Sequence, residues 1–520
     1  MYPMTKNILF FLLLSPFLLH AQTDFSDRWE DFYSYNNVKD FIKVDNIIYA
    51  ITDNAVFVYD VTTQETQKLS SVKGLSGETT SAIHYNSFTK RLMIGYENGL
   101  IEVLDEDGSI TISADIVSFN QSGEKEINHI SEYNNKLYIS TPFAIVVYDI
   151  EKLEFGDTYF IGVGSTSVKV NETTIFNNQI YAATEMGIYT ADITSQNLID
   201  AANWNLISSG NYTNIVQFNN KVYCSKENEI FTATKISVAL EKTFPSTIID
   251  LKGTEQFLSV SLEKSAEILD TNLTVVLKSS TTIKKKYSLN TSFSIDNSLF
   301  LGTKEYGILQ ASFSAPFDFL EIHPEGPLSN SVFSIAAQKN NAWFVYGGYN
   351  SAYVPMGIAQ GFSHYNGETW TNTPFDPNFP VLDMVHVTID PNHENRVFIS
   401  SYSDTGNTNS VATGGLLEVV DDNIKMFYND KNSPLEDLFP TNPNRTTIRI
   451  NGTVFDTQGN LWVTDALGSN KLKKLSSSGT WKSIDLRSLQ TNKNEEVNNV
   501  IVDKTNSVWI GTRQNGVYVY

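Results

Sequence analysis

Only seven arginines serve this 520-residue chain: Arg28, Arg91, Arg396, Arg445, Arg449, Arg487 and Arg513. A sialidase-type centre needs several guanidinium groups converging on one carboxylate, because bidentate pairing matches that geometry. Arg91 alone falls within the repeats of the first half, and Arg445 and Arg449 share one strand-like stretch. Metal chemistry has little more to work with. Of His84, His129, His323, His364, His386 and His393, none sits in an HExxH-like pattern. His386, Asp390, His393 and Glu394 form the densest set, and a turn before the strand Val397-Phe398-Ile399 accounts for it without a metal. The runs Asp105–Gly108 and Asp421–Asn423 read as turns, while a carboxylate pair for glycoside hydrolysis would converge only in three dimensions. Cys224 is the one cysteine, so no intrachain disulfide forms, and its place in a repeat strand marks it as a small buried residue. The expectation is a protein that is not an enzyme, with no catalytic residues, metal site or cofactor.

Any functional group must be positioned by a repeat. A large apolar or aromatic marker returns at Tyr49, Met93, Tyr138, Tyr181, Tyr223, Phe257, Phe300, Phe344, Phe398, Trp462 and Trp509. The first eight are 44, 45, 43, 42, 34, 43 and 44 residues apart, and the last three follow gaps of 54, 64 and 47. Each unit runs apolar strand, polar turn, marker strand, glycine turn and alternating strand, as in Ser507–Tyr520. Strand-and-turn units of roughly 40 to 50 residues are β-propeller blades. The expected fold is all-β, with tandem propellers of four-stranded antiparallel blades. Residues 22–315 hold a seven-bladed propeller, and 316–520 hold four recognisable repeats of a second, incomplete one. Blade packing accounts for most of the 12% aromatic content.

Ahead of the repeats, Lys6, the apolar run Ile8–Leu19 and Ala21 have the form of a signal peptide spanning 1–21. That run is short for a membrane span, and no later segment approaches one. A net charge of −21 argues against nucleic acid as a partner, which needs a basic footprint. Lys284–Lys286 and Lys473-Lys474 are local exceptions, expected as solvated turns or edges. An exported β-rich chain without disulfides suits a bacterial envelope better than a eukaryotic secretory route.

Asp456–Thr464 and Asp503–Thr512 resemble the two-component-regulator propeller repeat, and His364–Trp370 resembles its strand-turn-Trp ending. Trp29–Val38, Ile48–Thr52 and Gly74–Gly77 resemble the opening of the PorZ family, a likeness extending over most of the chain. That family carries two propellers, a β-sandwich and a C-terminal sorting domain, so the resemblance implies a chain lacking its C-terminal part. It also implies a surface role in type IX secretion, within the attachment complex. The implied partners are a sortase-like peptidase, other attachment-complex proteins, and anionic lipopolysaccharide for cargo attachment. The alternative is an oligosaccharide-sensing propeller of a hybrid two-component system, and a third reading is a propeller glycan lyase or hydrolase.

Loops carry binding on rigid scaffolds. The insertions are Gly347–Gly361, Tyr402–Gly415 and Asn429–Arg445. The first holds Tyr349, Tyr353 and Met356, expected as exposed groups on a partner-contact loop.

Overall fold

The computed structural model describes residues 29–404, 414–442, 445–486 and 496–520. The expected leader lies outside them, as do Arg28, Arg487 and the middle of the Tyr402–Gly415 insertion. Apart from a helical turn at Asp115–Ser118 and two 3-10 turns, the regular structure among the described residues is β-strand. No helix among them is long and apolar enough to cross a membrane.

The chain divides into two compact units, with the break after Pro324. The first contains seven sheets of four antiparallel strands, each sheet using strands consecutive in the chain. Ala315–Ile322 pairs with Ile308–Ser312 as the last strand of the seventh sheet, which carries this unit beyond the boundary expected at 315. Ten of the eleven markers lie on the second strand of their sheet. Phe257 does not: it immediately precedes the strand Leu258–Leu262.

Local sequence explains the reversals. Asn134-Asn135, Asn177-Asn178 and Asn219-Asn220 all have positive φ, between 44° and 58°. Such two-residue turns match the right-handed twist of the flanking strands, and asparagine tolerates the left-handed region. The first strand of each sheet lies beside that of the next, and the seventh beside the first, so the unit is a closed ring. The Val38 N–H donates to the Thr303 carbonyl at 2.9 Å, and the Gly307 N–H donates to the Asn36 carbonyl at 2.8 Å. Around this closure Tyr35, Phe41 and Phe57 pack with Phe300, Ile308 and Ile322 of the seventh sheet. Each such aromatic contributes about 1.5–3 kcal/mol by leaving water. Cys224 is fully buried in the same kind of packing, and burial pushes its thiol up to about 12.

In the second unit three four-stranded sheets are followed by a three-stranded one, Val497–Val519, among the described residues. Its first strands are Ser334–Gln338, Met384–Asp390, Ile450–Phe455 and Val497–Val502, side by side in that order. Lys473, expected as solvated, is fully buried and pairs with Glu436 at 2.6 Å.

Candidate functional site

The Gly347–Gly361 insertion is built on a buried carboxylate. Asp383, at the entry to Met384–Asp390, accepts the N–H groups of Gly357 at 2.8 Å and Ile358 at 2.9 Å. Gly347 passes so close to that strand that a Cβ there would lie 2.1 Å from the Met384 nitrogen. Between these anchors the loop doubles back at Asn350, whose carbonyl accepts the Tyr353 N–H at 2.8 Å. Its aromatic rings turn inward. Tyr349 stacks on Tyr353 with centroids 5.0 Å apart and meets Tyr402 at 4.8 Å and Phe333 at 5.2 Å. Tyr349 and Tyr353 are therefore half-buried, contrary to the expectation of exposed rings, because each finds an aromatic neighbour. Met356 is 61% exposed and Val354 52%, and these two form the accessible tip.

Each described arginine is held by a carboxylate of the fold. Arg445 grips Asp404 with Nε at 3.1 Å and Nη2 at 2.8 Å, and Arg449 shares the same carboxylate at 3.3 Å. Arg396 bridges Glu418 and Asp390, Arg91 pairs with Asp105, and Arg513 pairs with Glu496 while lying over the Tyr353 ring. The His386–Glu394 set is dispersed among different neighbours. His386 Nε2 meets the Thr453 carbonyl at 3.2 Å, His393 meets Asp390 at 3.3 Å, and Glu394 pairs with Lys339.

A second site was not foreseen. The innermost strands of the first unit surround a channel of about 570 Å³. Polar side chains knit the ring from one sheet to the next. Asn128 donates to the Val170 carbonyl, Asn171 to that of Tyr212, Asn214 to that of Ile249, and Asn290 to that of Val38. The signal was available, since Asn128, Asn171 and Asn214 stand 43 residues apart, in phase with the repeat. His84 pairs with Glu132 at 2.8 Å and holds that carboxyl below the usual range. Burial, with Asp250 nearby, pushes Glu172 up to about 8. Burial also raises Asp250 and pulls His129 down to about 4. Burial works against the Lys252 ammonium, but Asp40 and Asp250 prevail and hold it above its ordinary value.

Residues 48–205 match the family described as the N-terminal β-propeller domain of PorZ, of the type IX secretion system. That segment lies within the first unit and is similar to a PorZ propeller. The solved structure of PorZ from Porphyromonas gingivalis, an essential bacterial surface component of the type IX secretion system, superposes with a TM-score of 0.78 at 18% identity. That match covers 94% of this chain and 65% of the PorZ chain, and at such identity the likeness is one of fold. The extracellular domain of a one-component system from B. thetaiotaomicron matches at 14% identity with a TM-score of 0.41, over 94% of this chain and 76% of that one. No curated protein sequence matches the chain.

Proposed function

We propose that this chain is a non-catalytic surface component of a type IX secretion system, exported to the periplasm and the outer-membrane surface. There it scaffolds the attachment complex, with a sortase-like peptidase and anionic lipopolysaccharide among its partners. The match of residues 48–205 to the PorZ propeller family carries this reading. The five described arginines support a non-catalytic role, since their guanidinium groups are engaged by internal carboxylates. The partner-contact loop is the Asp383-anchored insertion, with Tyr349 and Tyr353 as its packed base and Met356 and Val354 as the contacting tip. A rigid tip costs less ordering on binding than a mobile loop.

Deleting the gene in the source bacterium and following cargo at the cell surface tests the role. Cargo should remain unprocessed and unattached, and normal attachment would sink the reading. Complementation with a Val354→Asp/Met356→Asp chain tests the loop separately. Both positions are exposed, so thermal stability should hold while attachment partners no longer co-purify. Retained partners would reassign the contact surface and leave the secretion role standing.

A further inference from the structure

In the central channel of the first unit, three carboxyl groups share one ammonium. Asp40, Glu172 and Asp250 come from the first strands of the first, fourth and sixth sheets, or from bulges in them, and all line the channel. Lys252 bonds to Asp40 and donates to the Phe41 carbonyl at 3.0 Å, with its ammonium 5.3 Å from the Phe41 ring centroid. Glu172 and Asp250 have only neutral donors in hydrogen-bond contact among the described residues. Glu172 accepts from the Asn214 amide at 3.1 Å and the Ile215 N–H at 2.7 Å, and Asp250 from the Thr291 hydroxyl at 2.7 Å.

The other basic side chains lining the channel, His129 apart, have hydrogen-bond partners of their own. Lys39 pairs with Glu97, Lys43 bonds to the Asp45 carbonyl, and His84 pairs with Glu132. His129 lines the same cavity, and its Nδ1 is buried without a partner among the described residues. The channel thus holds two carboxyl groups without a cationic hydrogen-bond donor, an imidazole nitrogen without a partner among the described residues, and room of about 570 Å³. Anionic ligands are disfavoured beside Glu172 and Asp250, whose carboxyl groups face them there. A metal ion is disfavoured too, because no group of three or more His, Cys, Asp or Glu side chains among the described residues is placed to hold one.

We propose that the central channel of the first unit binds a small organic amine, whose ammonium groups take places beside Glu172 and Asp250 like the one Lys252 takes beside Asp40. The inference is independent of the secretion role. A carboxylate, a carbonyl and an aromatic face already hold the Lys252 ammonium, a combination that favours cations by charge-assisted hydrogen bonding and by the ring quadrupole. The raised Glu172 holds its proton at neutral pH, so an arriving ammonium favours the ionised form and releases that proton. Affinity should therefore rise with pH from mildly acidic to mildly alkaline conditions.

Titration calorimetry of the whole chain with 1,4-diaminobutane, in two buffers of different ionisation enthalpy, tests this. Saturable binding with proton release is expected, weaker with 1-aminobutane and absent with 1-butanol. Glu172→Gln and Asp250→Asn should each weaken it about tenfold or more, the scale of one charged hydrogen bond. If either variant fails to fold, proton release and the butanol control in the unaltered chain decide. No heat at millimolar diamine overturns the proposal, as does binding without proton release. Calcium binding in place of the diamine, lost in the same variants, would also overturn it.

Discussion

In three sheets of the first unit, a pair of asparagines with positive φ makes the reversal between the first two strands. In Asn134-Asn135 both residues adopt the left-handed region, and the marker Tyr138 packs with Val147 of its own sheet and Ile180 of the next. The last two sheets of the second unit tie turn and marker together. Asp456 accepts the N–H groups of Gln458 and Asn460 at 3.0 and 2.9 Å and the Trp462 indole N–H at 3.0 Å. Asp503 repeats the arrangement with Thr505, Ser507 and Trp509. An indole buried in a propeller core needs a partner for its N–H, and the aspartate turn supplies one. The two tryptophan markers thus accompany aspartate turns, whereas Tyr138, Tyr181 and Tyr223 follow Asn-Asn turns. Trp343 shows the alternative, since its Nε1 is buried without a partner among the described residues and its ring instead stacks on His364 at 4.0 Å.

Trp462→Ala attacks this difference most directly. Trp462 is 4% exposed, and its loss should cost about 3–5 kcal/mol in the second unit's unfolding by denaturant. Trp462→Phe keeps most of the packing and strips Asp456 of one donor, so about 1–2 kcal/mol should be lost. A neutral Phe variant would show that the aspartate–indole bond does not set the turn, and the contrast between the units would reduce to ring size.

The units should also differ in how protons act on them. Glu172, raised to about 8, binds its proton more tightly in the folded than in the unfolded chain. It contributes stability in full below the ordinary glutamate value, and that contribution is lost as pH rises toward 8. Burial opposes the charge on Asp456, but hydrogen bonds from Asn460 and Trp462 prevail and lower its pKa, so its contribution is present at neutral pH and lost on acidification. Asp465, pushed up to about 7 by burial, acts in the same sense as Glu172, so single variants must separate the effects. Glu172→Gln should flatten the decline of melting temperature between pH 5 and 8, and Asp456→Asn should flatten the loss on the acid side. Each slope is bounded at about 1.4 kcal/mol per pH unit for one proton. Two variants with the same pH signature would remove the contrast.

What the sequence could disclose follows from the range of each interaction. The repeat, the turns and ten markers were legible because they depend on contacts within about one blade, where spacing maps onto structure. Phe257 misled because its short 34-residue interval puts the aromatic one place before its strand. Tyr349 and Tyr353 looked exposed because composition cannot reveal Tyr402 and Phe333, which cover them from other segments. The channel was hidden for the same reason, since Asp40 and Lys252 are 212 residues apart and meet only when the ring closes. Its one local trace was the phase of Asn128, Asn171 and Asn214, which passes for turn composition until the innermost strands are identified.

The smallest effect lies in the turns themselves. Asn135 has φ of 58° and forms a two-residue reversal with Asn134. A β-branched residue there should cost about 1 kcal/mol, because its Cβ crowds the carbonyl in the left-handed region. Asn135→Gly should stay within about 0.5 kcal/mol of the unaltered chain, since glycine enters that region freely but gains chain entropy when unfolded. Thermal melts of Asn135→Val and Asn135→Gly measure the pair. In the second unit, Gly459→Val probes the corresponding hairpin, where Gly459 has φ of 77° but Asp456 holds the turn from outside the left-handed residue. If backbone preference alone governs the first unit, the Asn135 pair should separate by the full conformational cost. A smaller separation would mean that sheet packing, rather than the asparagine turn, fixes the register of the blade.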